Sequence, residues 1–318
     1  MSPANRAEAI EFVALSNLII DDIRLSDGRE RLGMLGGAAV YAATGLRLWS
    51  QRVGIISGVG EDFNPTARQW LLDNGIDLQG VTIRHAHTPR SWVVYDAEGE
   101  RAETPQHGSE HFRAMESAAG DIPPAYQQAR GLYIFRDCDP AFWQSLHALP
   151  APPAEIILWE ISAAAAAPEW RPRVKEILQQ THILSINRAE ASALFQTDRP
   201  HDALYAALEA GAEVVALRLG AAGSLVTNGR DLVEIPALPV RVVDVTGGGN
   251  AYSGGFLAGY AGAGSQYWPD SLERAARCGA AAASAIIEQY GPPRDLTDTT
   301  AKVRQRALSA PVTRSRFR

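Results

Sequence analysis

Three consecutive glycines form the strongest candidate for a ligand site. They are Gly247–Gly249, within the stretch VDVTGGGNAYSGGF. The run Arg241–Val245 before them predicts a strand, and a helix of small residues is predicted to begin near Asn250. Glycines let backbone N–H groups approach a ligand closely, and the start of a helix is the end of its dipole that stabilises an anion. The turn therefore predicts an anion site, and a tight turn without a ligand is the alternative.

Asn250 decides what chemistry this anion site could support. If the anion is a phosphoryl group on its way to a hydroxyl, this position would normally hold a proton acceptor. An amide can orient a hydroxyl by hydrogen bonding, but it cannot hold a proton at neutral pH. General-base catalysis is typically worth about 10²–10⁴-fold, whereas phosphoryl transfer depends mainly on positioning and electrostatics. We therefore expect weakened chemistry with intact binding, and Asp244 or a water could substitute for the base.

Composition and missing motifs exclude several classes of protein. The net charge of −6 is spread along 318 residues without a basic block, so nucleic acid is not an expected partner. No apolar run approaches the roughly 20 residues that cross a bilayer, and the N-terminus lacks the apolar segment of a secretory signal, so we expect a cytoplasmic protein. The absence of GxxxxGK[ST], GxGxxG and GxSxG disfavours P-loop NTPases, dinucleotide-dependent dehydrogenases and α/β-hydrolases. Cys138 and Cys278 are expected to be buried free thiols.

Apolar runs alternate with helical patterns along most of the chain. This order predicts a three-layer α/β fold, in which helices cover both faces of a mostly parallel, doubly wound sheet. We interpret residues 1–318 as one domain. The predicted strands are Phe12–Ile20, Arg52–Ser57, Leu132–Phe135, Glu155–Trp159, His182–Ile186, Glu213–Leu219 and Arg241–Val245. The predicted helices are Ala38–Trp49, Pro65–Asn74, Pro140–Leu149, Pro172–Gln180, Ala189–Gln196, Ala203–Ala210, Ala251–Ala263 and Ser271–Tyr290.

Two stretches in the first third interrupt this alternation. Residues 22–35 and 84–110 lack helical periodicity, and Ser91–Asp96 followed by Glu100–Thr104 is typical of a hairpin that turns at Glu98–Gly99. We therefore predict a small β lid inserted in the larger fold.

Three other features are interpreted without a ligand. The polar, basic tail after Pro292 is expected to be partly loose. Glycines inside a helix cost roughly 1 kcal/mol each against alanine, and close packing of that helix would compensate for Gly254, Gly255 and Gly259. Four histidines could bind a metal, but no carboxylate or cysteine completes a set, so we favour the interpretation without one; they are His85, His87, His107 and His111.

Six segments resemble the pfkB carbohydrate kinases, the ribokinase-like family, in the family's order. VVDVTGGGNAYSGGFLAG is similar to the C-terminal signature, usually D-T-x-G-A-G-D followed by a helix. LSNLIIDDI resembles the opening strand, GGAAVYAATGLRLW the glycine pair with its helix, and VGIISGVGEDF the next strand and turn. SINRAEASALF contains the family's N-x-x-E, and ALRLGAAGSLV resembles its T-L-G-x-x-G. The resemblance implies a ribokinase-like fold and ATP-dependent phosphorylation of an alcohol.

The resemblance implies a substrate site in the first part of the chain. Asp21 would bind sugar hydroxyls, for which a carboxylate with two acceptor oxygens is suited, as would the backbone of Gly36 and Gly37. An acid that only caps a loop is the alternative for Asp21. Tyr41 stands where ribokinase-type members carry a sugar-contacting asparagine, which suggests a more apolar or aromatic substrate wall.

The resemblance also implies a nucleotide site with Mg²⁺ as cofactor. Asn187 and Glu190 would organise Mg²⁺ and the phosphates of ATP, with Glu190 as the metal residue. A helix first-turn acid is the alternative for Glu190. Arg218, Gly220, Gly223 and Thr246 would contact the nucleotide, although a turn into a hairpin at 224–227 explains both glycines nearly as well. Gly247–Gly249 would form the anion hole, with Asn250 at the family's catalytic position.

Two classes of function remain open at this point. The first is an ATP-dependent kinase that acts on a sugar or nucleoside-like alcohol. The second is a catalytically impaired pseudokinase that senses sugar or nucleotide, because Asn250 replaces the family's catalytic aspartate. In either case the expected partner is a small molecule, with no membrane and no nucleic acid, and a homodimer through the lid is expected by family analogy.

Overall fold

The computed structural model describes residues 9–97 and 101–318 and contains two β-sheets of different size. The strands are β1 (Phe12–Leu15), β2 (Ile19–Arg24), β3 (Glu30–Gly36), β4 (Val53–Gly60), β5 (Ile76–His85), β6 (Arg90–Tyr95), β7 (Arg101–Pro105), β8 (Ala129–Arg136), β9 (Ala154–Ile161), β10 (Ile183–Asn187), β11 (Val214–Arg218), β12 (Ser224–Thr227), β13 (Asp231–Ile235) and β14 (Thr313–Arg316). The α-helices are α1 (Ala38–Arg47), α2 (Pro65–Asp73), α3 (Gly108–Ala114), α4 (Pro140–His147), α5 (Arg171–Leu178), α6 (Arg188–Phe195), α7 (Pro200–Glu209), α8 (Gly248–Tyr260), α9 (Ser271–Ile286) and α10 (Leu296–Ser309). Across the described ranges, no helix has the length and apolarity that a membrane crossing requires.

The large sheet has ten strands in the order β14-β13-β12-β11-β10-β9-β8-β1-β4-β5. Its strands run parallel from β11 through to β5, whereas β12, β13 and β14 extend one edge in antiparallel fashion. This arrangement confirms the predicted mostly parallel sheet. Because parallel strands end at the same edge, residues that end neighbouring strands lie close together. Glu160, Asn187 and Arg218 occupy the carboxyl ends of β9, β10 and β11.

Helices cover both faces of the large sheet, as the apolar strands predict. On one face, Phe12 and Ala14 of β1 belong to a core shared with α1, α8, α9 and α10. On the other face, Val13 and Leu15 belong to a core shared with α4, α5, α6 and α7. All four residues of β1 are at most 1% exposed. A strand with apolar residues on both sides is stable only between two such layers.

Helix α8 packs unusually close to its neighbours. A Cβ added at Gly254 would overlap the backbone carbonyl of Ala42 in α1, and one at Gly255 would lie 2.6 Å from the carbonyl oxygen of Cys278 in α9. Gly254 and Gly255 are therefore explained by helix–helix packing, as expected. Cys138 and Cys278 are free and buried, also as expected.

The small sheet has the order β3-β2-β6-β7 and lies in the segments predicted as the lid. Strands β6 and β7 are antiparallel, with Tyr95 opposite Arg101, in agreement with the predicted hairpin. The predicted turn at Glu98–Gly99 lies outside the described residues. Buried Asp22 holds the lid together, because its carboxylate accepts hydrogen bonds from Arg90 at 2.6 and 2.8 Å and from Gln106 at 2.7 Å.

Three predicted segments differ from the structure. Arg241–Val245 is not a strand. Its Val243 N–H donates to the carbonyl oxygen of Ile287 at the end of α9, and not to a neighbouring strand. Val242 and Val245 are exposed and line a cavity. The predicted strand Phe12–Ile20 is two strands in different sheets, β1 and β2. The tail after Pro292 is not loose, because it forms α10 and edge strand β14.

The four histidines noted in the sequence come together beside the lid. The rings of His107 and His111 lie 5.1 Å apart between centroids, those of His85 and His111 4.7 Å, and those of His87 and His107 4.9 Å. Within residues 9–97 and 101–318, no group of three or more histidine, cysteine, aspartate or glutamate residues is placed to hold a metal ion. Burial, and then the charges of His85 and His107, lowers the pKa of His111.

Candidate active site

The glycine turn lies between two cavities. Gly247 and Asn250 line a cavity of about 200 Å³, which also reaches Asp21. Gly248 and Gly249 line a largely apolar cavity of about 450 Å³. After the roles that the resemblance implies for Asp21 and Arg218, we call the first the acceptor cavity and the second the nucleotide cavity. The start of α8 is therefore the wall that separates the two spaces. A group passed from one cavity to the other would have to cross at this turn.

The conformation of the turn leaves backbone donors at the start of α8. Gly247 caps the helix with φ 75°, in the left-handed region that glycine tolerates, and it supplies no side-chain cap. The Gly248 N–H donates to the carbonyl oxygen of Val245 at 3.2 Å. The N–H groups of Gly249 and Asn250 follow in the first helical turn, where an α-helix offers no partner. The donors available to an anion therefore belong to Gly249 and Asn250.

Tyr41 of α1 fixes the turn from the side of the acceptor cavity. Its side chain is 3% exposed, and a Cβ added at Gly247 would overlap its ring. Tyr41, Phe112 and Phe135 give the acceptor cavity an aromatic wall. Tyr41 therefore belongs to an aromatic cavity wall, and its contact with a substrate stays a prediction.

A buried polar network lies behind Asn250. The Asn250 side chain donates from Nδ2 to the hydroxyl oxygen of Tyr133 at 3.0 Å and to Oε1 of Glu160 at 3.2 Å. The Tyr133 hydroxyl donates to Oε2 of Glu160 at 2.9 Å. Tyr133 is fully buried and Glu160 is 2% exposed. Burial, and then the charge of Glu160, raises the pKa of Tyr133 well above its ordinary value, so its hydroxyl stays protonated.

Arg218 joins this network to the nucleotide cavity. Its Nη1 pairs with Oε1 of Glu160 at 2.9 Å, and its Nη2 lies 3.7 Å from Oε2 of Glu190. Arg218 lines the nucleotide cavity, and its Nε and Nη2 are buried without a hydrogen-bond partner among the described residues. Unsatisfied donors of a buried guanidinium favour an anionic ligand. A Cβ at Gly249 would overlap Nη1 of Arg218, so glycine is required for this close approach.

Asn187 and Glu190 form a capping box at the start of α6. The Asn187 side chain accepts a hydrogen bond from the Glu190 N–H at 2.9 Å, and Oε2 of Glu190 accepts one from the Asn187 N–H at 2.8 Å. The helix-acid alternative for Glu190 is thus present in the structure. Burial raises the pKa of Glu190 to about 7, although Arg218 acts to lower it. Among the described residues, no side-chain or backbone group donates a hydrogen bond to its other oxygen, Oε1.

The remaining predicted residues divide between the two cavities. Asp21, Gly37 and Thr246 line the acceptor cavity, so Thr246 stands on the opposite side of the turn from the nucleotide site predicted for it. Gly36 lies directly behind Asp21, because a Cβ there would overlap the carboxylate. Gly220 and Gly223 line the nucleotide cavity. Gly223 also has φ 94° where the chain enters β12, so the turn interpretation holds as well.

Comparison with known proteins identifies the family. Residues 29–299 match the model of the pfkB family carbohydrate kinases. The chain belongs to this family. It is 29% identical over 300 residues to the cytidine kinase of Thermococcus kodakarensis, covering 89% of this chain and 98% of that relative. As a member of the pfkB family, the chain is an ATP-dependent kinase of the sugar and nucleoside type, and nothing found supports the sensor alternative.

Solved structures confirm the ribokinase-like fold of this pfkB chain. The adenosine kinase of Sinorhizobium meliloti superposes with a TM-score of 0.74 at 23% identity, covering 94% of this chain and 99% of its own. A ribokinase-related protein of Escherichia coli, solved with ATP and Mg²⁺, superposes with a TM-score of 0.70 at 19% identity, covering 93% and 99%. ATP and Mg²⁺ are thus the ligands of that solved structure.

Asp244, the predicted substitute base, is occupied elsewhere in this pfkB chain. Its Oδ1 accepts hydrogen bonds from the Tyr95 hydroxyl at 2.7 Å and from the Thr246 N–H at 2.8 Å, and its residue is 4% exposed. Asp244 therefore connects lid strand β6 to the glycine turn through Oδ1, while its Oδ2 is buried without a hydrogen-bond partner among the described residues.

Sequence reasoning missed Glu160 and Tyr133, which are the partners of Asn250. The signal for Glu160 is the second acid in AEIILWEI, directly after the apolar residues IILW. An acid near the carboxyl end of a buried parallel strand lies at the edge where such sheets place their ligands.

Proposed function

We propose that the chain transfers the γ-phosphoryl group of ATP to a hydroxyl of a nucleoside or a related sugar. The observation that carries this proposal is the glycine turn, which presents the N–H groups of Gly249 and Asn250 at the point where two cavities meet. One cavity suits a nucleotide and the other suits a small polyhydroxy compound with an aromatic part.

The nucleotide cavity suits the base and phosphates of ATP. Its apolar walls include Leu238, Val240 and Ile287, and apolar surfaces favour a purine ring. Arg218 and the start of α8 lie at its polar end, where free donors and the helix dipole stabilise phosphate. Gly220 and Gly223 line the same cavity and let the chain approach the nucleotide.

Asn187 and Glu190 are proposed to hold Mg²⁺ through its waters. Magnesium retains several waters in proteins, so one free carboxylate oxygen on Glu190 is compatible with this role even though the capping box uses the other. When bound, Mg²⁺ would neutralise charge on the phosphates of ATP. Arg218 would provide a second positive charge from the protein itself.

The acceptor cavity favours a nucleoside over a simple sugar. Asp21 supplies a buried carboxylate for vicinal hydroxyls, with the backbone of Gly36 and Gly37 beside it. Tyr41 and Phe135 supply aromatic surface on which a base could stack. The T. kodakarensis relative, a cytidine kinase, is consistent with this preference.

The transfer needs positioning more than a strong base. The acceptor oxygen forms a bond to the γ-phosphorus, the bond from that phosphorus to the bridging oxygen breaks, and ADP leaves. In a loose transition state the hydroxyl proton departs late, so it can pass to a phosphoryl oxygen or to water. Asn250 would hold the hydroxyl in line by accepting its hydrogen bond, and the N–H of Gly249 would stabilise the transferred group.

A panel of nucleosides and sugars, assayed with Mg·ATP for ADP release, tests this proposal. We expect release that depends on the acceptor and is highest for a nucleoside. Gly249→Ala should abolish it, because the new methyl group displaces Arg218, whereas Gly120→Ala is the matched control with open space around it. Binding of ATP and acceptor without any acceptor-dependent release would reject the kinase proposal in favour of a sensor.

The lid is proposed to mediate a homodimer. Strands β3 and β7 are the edges of the four-stranded sheet, and Leu32 on β3 is 58% exposed. Unpaired strand edges with exposed apolar side chains favour association with a second copy. Light scattering on the wild type and on Leu32→Asp tests this, with a dimer expected for the first and a monomer for the second. A monomeric wild type would rule it out.

A further inference from the structure

Asn250 has a carboxylate for a neighbour. Glu160 is the penultimate residue of β9, 90 residues away in sequence, and its Oε1 lies 3.2 Å from Nδ2 of Asn250. The resemblance to other pfkB kinases places an aspartate at position 250. In this chain the carboxylate belongs instead to Glu160, which lies behind Asn250, and Arg218 pairs with it at 2.9 Å.

The hydrogen bonds of the network determine which way the Asn250 amide points. The Tyr133 hydroxyl gives its proton to Glu160, so its oxygen can only accept from Asn250. A glutamate carboxylate likewise only accepts. Both groups behind Asn250 therefore require its NH₂, and an amide turned the other way would place its oxygen against two acceptors.

We propose that Glu160 is a positioning residue, which holds the Asn250 amide so that Oδ1 faces the acceptor hydroxyl. This inference rests on the proposed function, because it assigns Oδ1 to the acceptor hydroxyl. Glu160 does not line the acceptor cavity and so acts through Asn250. Glu160 would also keep Arg218 at the edge of the nucleotide cavity. The positions of both substrates, the acceptor and ATP, would then depend on this one carboxylate.

The pairing predicts an unusual result for the variant that restores the family's aspartate. Asn250→Asp places a second carboxylate about 3 Å from Glu160, and two like charges at that distance cannot both ionise readily. The restored acid would then bind a proton and fail as a base. Asn250→Asp should therefore lower kcat, although it recreates the family's signature. Removal of the other charge, in Glu160→Gln/Asn250→Asp, should raise kcat at least 10-fold over Asn250→Asp alone.

Glu160→Gln alone should also impair the reaction. The carbonyl of the introduced glutamine would turn toward Arg218 and its NH₂ toward Tyr133, whose hydroxyl would then donate toward Asn250. The Asn250 amide loses its fixed orientation, and a misplaced acceptor can cost about 100-fold in rate. We expect kcat to fall 10- to 100-fold while the KM for the acceptor changes less than about threefold. Glu155→Gln, the same change at the exposed start of β9, is the matched control.

The experiment measures kcat, KM and the melting temperature of five proteins: wild type, Glu160→Gln, Asn250→Asp, the double variant and Glu155→Gln. We expect the melting temperature of Asn250→Asp to be lower than that of the wild type. The melting temperature of Glu160→Gln/Asn250→Asp should be partly restored, because one of the two facing charges is removed. These temperatures test the pairing even if the wild type transfers no phosphoryl group, an outcome that would refute only the proposed function. An active wild type with Glu160→Gln unchanged, or with Asn250→Asp faster than the double variant, would overturn the positioning role. Independent effects of the two changes on melting temperature would overturn it as well.

Discussion

Replacement of Arg218 by methionine should destabilise the protein far more than loss of an ordinary ion pair. Arg218 is the cation that faces Glu160 at 2.9 Å, and their side chains are only 12% and 3% exposed. Removing one partner of a buried pair leaves a charge without compensation and typically costs about 3–5 kcal/mol. Tyr133 and Asn250 still donate to Glu160, so we expect the lower end, about 3 kcal/mol.

Urea unfolding followed by tryptophan fluorescence measures this loss. Arg24→Met is the matched control, because Arg24 pairs with Glu30 at 2.8 Å while the two side chains are 51% and 39% exposed. An exposed pair contributes about 0–1 kcal/mol. The double variant Arg218→Met/Glu160→Gln should recover most of the lost stability, since the buried charge is then removed with its partner.

Nucleotide affinity separates the two roles of Arg218. Both Arg218→Met and the double variant should bind ATP at least 10-fold more weakly by calorimetry, because two buried donors have been removed from the cavity. Equal losses of stability in Arg218→Met and Arg24→Met would refute the buried-charge argument. Undiminished ATP affinity would refute the assignment of Arg218 to the phosphates.

Three further changes test other parts of the site. Gly247→Ala should raise the KM for the acceptor and lower kcat about 10-fold or more, since the methyl group meets the Tyr41 ring at a positive φ; unchanged steady-state constants would contradict this. Tyr95→Phe should raise the KM for the acceptor several-fold with little change in ATP affinity, because the lid loses its hydrogen bond to Asp244. Steady-state kinetics that showed a raised KM for ATP and an unchanged KM for the acceptor would contradict this. Folding lowers the pKa of His111 below its ordinary value of 6.5. The neutral imidazole therefore contributes to the stability of the fold above pH 6.5, and this contribution is lost as the pH falls through the lowered pKa. Melting temperatures at pH 7.5 and 5.5 should therefore differ less for His111→Gln than for the wild type, and an equal difference would argue against this assignment.

The general fold could be predicted from the sequence because the strands are apolar on both faces. Runs such as Leu132–Phe135 and Glu155–Trp159 fit only a sheet between two helical layers, and the structure has that sheet. The prediction for Arg241–Val245 is wrong for a physical reason. Val242 and Val245 line the nucleotide cavity, and a sequence does not distinguish cavity walls from a sheet interior.

The glycine turn can be predicted from the sequence and its supporting network cannot. Gly247–Gly249 carry local signals of turn and helix start, which depend on neighbouring residues alone. Glu160 meets both Arg218 and Asn250 only because β9 and β11 end at the same edge of the sheet as the start of α8. Nearness in sequence makes Asp244 a candidate for the substitute base, whereas the hydrogen bond that its Oδ1 accepts from the lid is visible only in the structure.

Transfer of label from Mg·[γ-³²P]ATP to an alcohol tests the central claim most directly. The acceptor with the highest ADP release would be incubated with wild type and with Gly249→Ala, and the products separated. We expect the wild type to place the label on the acceptor, in an amount equal to the ADP formed, and Gly249→Ala to place none. Saturated binding of both substrates by the wild type, with all of the label remaining in ATP, would contradict the assignment of a working phosphoryl-transfer site to the turn at Asn250.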